Sequence, residues 1–177
     1  MNDLEFLSKC KVFLSKDEVE NRITELAHEI DNDYNGKEIV IISILKGALF
    51  FTIDLVKKIK TPIILDTIHA FSYVGSESTG ELKITDDITT NIEGKDVLIV
   101  EDIIDTGLTL DKIRAHILSK NPASLKIAVL ADKEERRKVE VPIDYTGFKI
   151  ENKFIIGYGF DYDEKFRNLP YIAYVDE

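Results

Sequence analysis

The segment from residue 96 to residue 118 restricts the fold more than any other part of the sequence. Residues 96–100 (DVLIV) are almost uniformly apolar and β-branched, which predicts a strand buried on both faces. A short polar turn follows, and the helical spacing of Leu110, Ile113 and Ile117 predicts a helix directly behind it. A strand that leads at once into a helix is typical of layers built on a parallel sheet.

The same strand and helix order recurs along the chain. Ser15 and Glu18 have the spacing of a capping box, and a helix pattern follows them as far as Ile30. Further apolar runs predict strands at 38–43, 62–70 and 125–130, and a helix at 48–58. The expected fold class is therefore α/β, with a mostly parallel, twisted sheet flanked by helices.

The length favours a single domain spanning residues 1–177. An apolar content of 44% in 177 residues is enough for one real core, and two ordinary domains would be crowded. We expect the core of the domain at about 15–135. The strand-like patterns at 139–145 and 153–158 predict that about 136–177, with the N-terminal segment, forms a small hood lobe.

Composition excludes several functional classes. A net charge of −10 argues against broad binding to nucleic acid or to an anionic membrane, because both need a basic surface. Cys10 is the only cysteine, so an internal disulfide is impossible and a reducing, cytoplasmic setting fits. The N-terminus does not have the pattern of a signal peptide, and no run reaches the ~18 apolar residues of a spanning helix.

The turn after the predicted strand at 96–100 has the composition of a phosphate site. Residues 105–109 (DTGLT) combine two hydroxyls with Gly107, immediately before a helix N-terminus. Backbone N–H groups and the helix dipole can bind an anion there, and the glycine permits close approach. Ligands of open α/β sheets bind off the carboxyl ends of strands, where this turn lies.

Three carboxylates beside this turn are unsuited to a bare phosphate. Glu101, Asp102 and Asp105 would repel it, unless they accept hydrogen bonds from sugar hydroxyls or hold Mg²⁺ bridged to phosphate oxygens. A sugar phosphate that carries a metal-bound diphosphate would satisfy both the acids and the phosphate donors.

Other interpretations of the turn remain open from the residues alone. The acids could be solvated groups at a strand end, in an Asx-type turn. A phosphate-receiving signalling domain also carries acids after a strand, but residue 96 leaves too little chain for its later strands. Neither a G-x-x-x-x-G-K-[ST] loop nor a G-x-G-x-x-G motif occurs.

The run VLIVEDIIDTGLTL at 97–110 resembles the signature of the type I phosphoribosyltransferase family. Further segments match in order, from about residue 9 to residue 173, and fit the hypoxanthine-guanine branch. They are the Leu-Lys-Gly turn at 45–47, the Ser-Tyr pair at 72–73, Lys133 after a strand, the KFIIGY segment at 153–158 and the GFDYDEKFRNLP tract at 159–170.

The resemblance implies roles for the residues of the central turn. Asp105 is the expected general base for the imidazole nitrogen of the purine, and Glu101 and Asp102 hold the ribose hydroxyls directly or through Mg²⁺. The 5-phosphate is cradled by Asp105, Thr106, Gly107, Leu108 and Thr109. Many relatives have a polar or basic residue in the slot of Leu108, which here can offer only its backbone N–H.

The flanking motifs supply the diphosphate site, the metal shell and a lid. Lys46, Gly47 and Arg167 are expected to bind diphosphate, and the family can carry a non-proline cis peptide at the position of Leu45–Lys46. Asp161 is expected to complete the shell around Mg²⁺. Ser72 and Tyr73 correspond to a flexible loop that closes over the reacting centre, although the bare sequence also fits a simple hairpin loop.

The purine site rests on three residues. The resemblance implies that Lys133 donates a hydrogen bond to the 6-oxo group, which favours hypoxanthine and guanine over adenine. Phe154 is expected to stack on the base, with the backbone of Ile155 reading its edge. Without the resemblance, Lys133 would belong to a charged surface turn and Phe154 to the core.

The implied reaction is purine plus phosphoribosyl diphosphate, giving IMP or GMP and diphosphate, in a homodimer or homotetramer without nucleic acid or membrane as partner. One alternative is a phosphoribosyltransferase-like regulator that senses nucleotides and binds nucleic acid. The net charge of −10 and the lack of a basic stripe oppose it. A second alternative is a Mg²⁺-dependent hydrolase of sugar phosphates or nucleotides.

Overall fold

The computed structural model describes residues 3–72 and 82–175. This part of the chain holds four α-helices, nine strands and one short 3-10 helix at Glu134–Arg136. In chain order the main elements are α1 (Asp3–Ser8), β1 (Cys10–Leu14), α2 (Lys16–Asp33), β2 (Ile39–Leu45), α3 (Leu49–Val56), β3 (Ile63–Ser72), β4 (Leu82–Asp86), β5 (Asp96–Ile104), α4 (Leu108–Leu118), β6 (Ser124–Asp132), β7 (Tyr145–Lys149), β8 (Ile155–Ile156) and β9 (Ile172–Val175).

The central sheet has six strands in the order β4-β3-β2-β5-β6-β7. Strands β3, β2, β5, β6 and β7 run parallel, and only β4 is antiparallel to its neighbour. The strands predicted from the apolar runs at 38–43, 62–70 and 125–130 are all confirmed. The mostly parallel α/β class predicted from the sequence is therefore correct, while the edge strand β4 was missed.

Alternate residues of each central strand pack against different helices. Ile39 and Ile41 of β2 join the cluster that contains α2 and α3, whereas Val40 and Ile42 join the cluster that contains α4. Strand β5 alternates in the same way over residues 97–100. The sheet is thus buried on both faces, which explains why its strands are continuously apolar in sequence.

A separate antiparallel sheet is built from both ends of the chain, in the order β1-β9-β8. It holds the N-terminal strand Cys10–Leu14, which pairs antiparallel with β9. The boundary predicted at about residue 136 does not coincide with the sheet boundary, because Tyr145–Lys149 pairs parallel with β6. That pairing places β7 in the central sheet.

Two predicted strands differ from the observed ones for local reasons. Residues 139–144 are not a strand, because Pro142 lacks an N–H and the N–H of Val139 donates instead to Thr106 O, 3.2 Å away. The strand predicted at 153–158 is confined to Ile155–Ile156. It ends because Gly157 and Tyr158 take positive φ values of 89° and 51°.

The parallel strands bring their carboxyl ends to one edge of the sheet. The register pairs Ser43 of β2 with Val100 of β5, and Ile104 of β5 with Asp132 of β6. The turns that leave these strands, at 45–48, 104–108 and 132–134, therefore open on the same side. Among the described residues, no helix is long and apolar enough to cross a membrane.

The capping box predicted at the start of α2 is present. Glu18 N–H donates to Ser15 Oγ at 3.3 Å, and Ser15 N–H donates to Glu18 Oε2 at 2.8 Å. Each of these bonds satisfies a donor that the first turn of the helix would otherwise leave unpaired.

We expect Ser15→Ala to lower the free energy of unfolding by about 1 kcal/mol, because the cap of α2 is lost. Urea denaturation measures the change. Thr24→Ala is the matched control, since the Thr24 hydroxyl only donates to Glu20 O within the same helix. That control should be neutral or slightly stabilising, and an equal loss in both variants would contradict the capping role.

Candidate functional site

The turn between β5 and α4 is shaped by Gly107. This residue has a φ of 83° and immediately precedes the first helical residue, Leu108. A β-carbon at this position would contact the carbonyl of Val139 and the side chain of Arg137. Both the left-handed backbone and the crowding therefore require glycine here.

A small cavity of about 110 Å³ opens at this turn. Its lining includes Glu101, Asp105, Thr106, Gly107 and Thr109. The N–H groups at the start of α4 have no partners within the helix, and the helix dipole favours an anion at this end. The cavity thus lies between carboxylates and a turn whose geometry suits an anion.

Residues 137–139 hold the backbone of the turn in place through hydrogen bonds. The backbone N–H groups of Lys138 and Val139 donate to Thr106 O at 2.9 and 3.2 Å. Arg137 Nε donates to the carbonyl of Asp105 at 3.2 Å, and its Nη2 pairs with the carboxylate of Asp132. Both side chains of this ion pair are buried, with exposures of 10% and 7%. The backbone of the turn is therefore fixed by charged groups that do not face the cavity.

Glu101 and Asp102 lie side by side where β5 reaches the edge of the sheet. The backbone N–H of Asp102 donates to Glu101 Oε1 at 3.0 Å. Burial raises the pKa of both carboxyls, and the charge of Asp102 adds to the rise in the pKa of Glu101. The charge of Arg167 acts against the rise in the pKa of Asp102. Two sheltered acids of this kind suit a cation or the hydroxyls of a sugar.

Asp105 faces two basic side chains. Arg136 Nε lies 3.0 Å from Asp105 Oδ1, close enough for an ion pair but not directed as a hydrogen bond. That oxygen accepts no hydrogen bond from the described residues. Burial lowers the pKa of Lys133, and the charge of Asp105 acts in the opposite direction. Asp105 therefore lies in a positive field, and its Oδ1 is paired with the guanidinium of Arg136.

The turn after β2 packs against the acids of β5. The peptide bond between Leu45 and Lys46 is cis, the arrangement that the resemblance allows. Gly47 lies so close to Asp102 that a β-carbon would overlap its carboxylate. Gly159 in turn abuts the carbonyl of Gly47. The two glycines bring the predicted diphosphate turn and the C-terminal tract into contact with β5.

Arg167 and Lys46 both contact the carboxylate of Glu164. Arg167 Nη2 lies 2.9 Å from Asp161 Oδ1 and 3.6 Å from Glu164 Oε2, and its Nη1 donates to Gly159 O at 2.6 Å. Lys46 Nζ lies 2.9 Å from the same oxygen of Glu164. The hydrogen bond with Lys46 lowers the pKa of Glu164. The two predicted diphosphate cations are therefore close together, whereas the sequence analysis gave Glu164 no role.

The three predicted metal ligands do not form one cluster. Within residues 3–72 and 82–175, no group of three or more His, Cys, Asp or Glu side chains is placed to hold a metal ion. Asp161 pairs instead with Arg167 and accepts the N–H of Glu164 at 2.9 Å. The neighbouring carboxylates of Glu101 and Asp102 still suit Mg²⁺, which proteins often bind through one or two carboxylates plus substrate phosphates.

The three predicted purine residues lie on different elements. Lys133 follows β6 and is only 7% exposed, unlike its exposed neighbours Glu134 and Glu135, so it does not belong to a solvated charged turn. Phe154 is 52% exposed, so it is not a core residue, and its ring meets that of Tyr162 edge-on at 5.8 Å. Ile155 is buried in β8. An exposed ring of this kind is free to stack on a flat ligand.

The predicted lid falls mostly outside the described residues. Ser72 ends β3, and the position of Tyr73 lies in the range 73–81 that the structure does not describe. The lid prediction accordingly stays a prediction.

Some residues of the site were not predicted from the sequence. The sequence analysis assigned no role to Arg136 or Arg137, yet Arg136 faces Asp105 and Arg137 donates a hydrogen bond to its carbonyl. Asp132, the last residue of β6, gave one usable signal: an acid at the end of a buried strand needs a partner. No sequence pattern indicated that Glu164 contacts Lys46.

A larger cavity of about 500 Å³ lies elsewhere, between α2, α3 and residues 168–170. It is lined by Phe50 and Tyr158 and by lysines that pair with carboxylates, such as Lys58 with Glu20 at 3.6 Å. None of the predicted site residues lines this cavity.

Comparison with known proteins gives consistent results. A family model described as a phosphoribosyl transferase domain matches residues 13–163. The hypoxanthine-guanine-xanthine phosphoribosyltransferase of Tritrichomonas foetus is 47% identical, over 100% of this chain and 94% of its own length. The hypoxanthine-guanine phosphoribosyltransferase of Streptococcus thermophilus is 44% identical, over 94% of this chain and 93% of its own. A crystal structure of a hypoxanthine phosphoribosyltransferase from Staphylococcus aureus matches with a TM-score of 0.93 and 42% identity, over 99% of this chain and 96% of that one. These similarities confirm the family and the fold class predicted from the sequence.

We expect Gly107→Ala to destabilise the protein more than Gly94→Ala does. Both glycines have positive φ, 83° and 70°, but only at Gly107 would the added carbon meet other atoms. The backbone conformation alone should cost about 1–2 kcal/mol in each variant. The crowding at Gly107 should add at least about 1 kcal/mol. Urea denaturation compares the two, and equal losses would contradict the close packing of the turn.

We expect Arg137→Met to lower the free energy of unfolding by about 3–5 kcal/mol, because the buried carboxylate of Asp132 loses its partner. The double variant Asp132→Asn with Arg137→Met should recover part of that loss. Arg136→Met is the matched control, since its exposed ion pair should change stability by less than about 1 kcal/mol. Similar losses at both arginines, measured by denaturation, would contradict the bracing role.

Proposed function

The chain belongs to the phosphoribosyltransferase family, and from that premise we propose that it transfers the phosphoribosyl group of phosphoribosyl diphosphate to a 6-oxopurine. The acceptors are hypoxanthine and guanine, which give IMP and GMP together with diphosphate. The reaction is one of purine salvage.

A single observation carries this proposal. The anion-binding turn at 105–109 and the carboxylate of Glu101 line the same cavity at the carboxyl end of β5. A phosphate alone would be repelled by the acids, and a sugar alone would not use the turn. A phosphorylated ribose fits both, with its 5-phosphate at residues Thr106–Thr109 and its hydroxyls at Glu101 and Asp102.

The proposed chemistry is a displacement at C1 of the ribose. A bond forms between that carbon and the imidazole nitrogen of the purine, and the bond to the diphosphate oxygen breaks. The nitrogen gives its proton to Asp105, which lines the same cavity as Glu101 and the turn. A carboxylate within reach of the proton it removes is suited to act as a general base.

The leaving diphosphate carries the developing negative charge. Lys46, the backbone at Gly47 and Arg167 are the groups we assign to it, and the carboxylates of Glu101 and Asp102 would hold Mg²⁺. The metal, when bound, neutralises phosphate charge and orients the sugar diphosphate. Fixed positive groups aimed at the leaving oxygens lower the barrier because the charge appears there in the transition state.

Selection of the purine rests on Lys133 and Phe154. A lysine donates but cannot accept a hydrogen bond, so it pairs with the 6-oxo group of hypoxanthine or guanine and not with the amino group of adenine. Its burial supports this role, because a sheltered donor left unpaired is costly. Phe154 stacks on the base, and the backbone of Ile155 reads its edge.

The setting we propose is the cytoplasm, where Cys10 stays reduced, with a homodimer or homotetramer as the working form. Nucleic acid is not a partner, because the net charge of −10 offers no basic surface for a phosphate backbone.

The direct test is a spectroscopic assay of each purine with phosphoribosyl diphosphate and Mg²⁺. We expect turnover with hypoxanthine and guanine and none with adenine.

Lys133→Met should lower kcat/KM for the oxopurine by about 10- to 100-fold, since a hydrogen bond from a charged donor is lost. The KM for phosphoribosyl diphosphate should change little. Activity with adenine alone would overturn the role of Lys133, and consumption of phosphoribosyl diphosphate without any purine would indicate a hydrolase.

We expect Asp105→Asn to lower kcat by about 10²–10⁴-fold, because the general base is lost while the shape of the turn is kept. Binding of phosphoribosyl diphosphate, measured by calorimetry without purine, should stay within a few-fold of the wild-type value. Equal losses in turnover and in binding would show that Asp105 serves to bind the sugar phosphate rather than to accept the proton.

A further inference from the structure

The two cations that we assign to the diphosphate already share an anion of the protein. Oε2 of Glu164 lies 2.9 Å from Lys46 Nζ and 3.6 Å from Arg167 Nη2. Lys46 and Glu164 are 118 residues apart in the sequence, so the fold, and not the chain connectivity, brings them together. One carboxylate oxygen therefore contacts both groups that a diphosphate oxygen would contact.

The backbone around Glu164 holds its side chain in this direction. Asp163, Glu164 and Phe166 have positive φ values of 51°, 62° and 71°. Non-glycine residues rarely take this conformation, and they keep it only where the surrounding structure imposes it. Here Asp161 Oδ2 accepts the N–H of Glu164 at 2.9 Å, and Tyr162 and Lys165 pair across the turn.

We propose that Glu164 is an internal counter-anion that competes with diphosphate for Lys46 and Arg167. The inference rests on the proposed function, which assigns both cations to the diphosphate group. The carboxylate pairs with both cations, and both phosphoribosyl diphosphate and free diphosphate must displace it. The competition weakens the binding of both, and it favours release of diphosphate after the transfer.

Diphosphate can displace Glu164 because the ion pair between Lys46 and Glu164 is exposed to solvent. The side chains of Lys46 and Glu164 are 59% and 66% exposed, so their ion pair is weak and can be displaced by an anion of higher charge. A deeply buried pair would block the site, and an unpaired set of cations would bind diphosphate tightly and release it slowly. An exposed carboxylate such as Glu164 leaves the site open to diphosphate but weakens its binding.

Asp163 provides a matched control for the position of the charge. It is the preceding residue, is exposed and also has a positive φ of 51°. The ion pairs of Lys46 and Arg167 are with Glu164 and Asp161, so Asp163→Asn removes the same charge while leaving those pairs in place. Glu164→Gln keeps the shape of the side chain and removes only its charge.

The experiment is calorimetric titration of inorganic diphosphate, with Mg²⁺, into the full-length wild type and the two variants. Glu164→Gln should bind diphosphate about three- to fivefold more tightly than the wild type, the range expected when an exposed competing charge is removed. Asp163→Asn should stay close to the wild type, and the advantage of Glu164→Gln should shrink at higher salt. Thermal unfolding confirms that both variants are folded.

The outcomes separate this inference from the proposed function. If the wild type binds diphosphate and Glu164→Gln binds it equally or more weakly, the competition does not exist. If Asp163→Asn tightens binding as much as Glu164→Gln does, the effect is one of overall charge, and the specific role of Glu164 is refuted. A wild type that binds neither diphosphate nor phosphoribosyl diphosphate would instead overturn the proposed function.

Discussion

Three carboxylates at the carboxyl end of one buried strand create the electrostatic problem that the rest of the site solves. Glu101 and Asp105 line the cavity at a turn that suits an anion, and Asp102 adjoins Glu101, so positive groups are needed to offset the acids. The structure brings those groups from other segments: Arg136 to Asp105 at 3.0 Å, and Arg167 to the charge of Asp102. A chain with a net charge of −10 thus concentrates basic side chains where the acids are sheltered.

Close backbone approach is what makes this concentration possible. Gly47 lies against the carboxylate of Asp102, and Gly159 lies against the carbonyl of Gly47. Side chains at either position would separate the β2 turn from β5 and from the C-terminal tract. The parallel sheet supplies the common edge, and the glycines let three turns meet there. Lys46 and Arg167 then lie beside the same carboxylate, that of Glu164.

The sequence predicted the parts of the molecule whose signals are local. The apolar strand at 96–100, the capping box at Ser15 and the turn around Gly107 each depend on a few neighbouring residues, and all are present. The bracing by Arg137 and the pairing of Glu164 with Lys46 join residues far apart in sequence, and no local pattern specifies them. The prediction of a strand at 139–144 was wrong because the N–H of Val139 donates to Thr106 O in the turn, a long-range contact that no local pattern indicates.

The measurement that tests the central claim most directly is a crystal structure of the protein with phosphoribosyl diphosphate and Mg²⁺. The account predicts the 5-phosphate within hydrogen-bonding distance of the backbone at Thr106–Thr109, and the ribose hydroxyls beside Glu101 and Asp102. A sugar phosphate bound instead in the cavity of about 500 Å³ lined by Lys16, Lys57 and Lys58, with the turn at Gly107 empty, would contradict it.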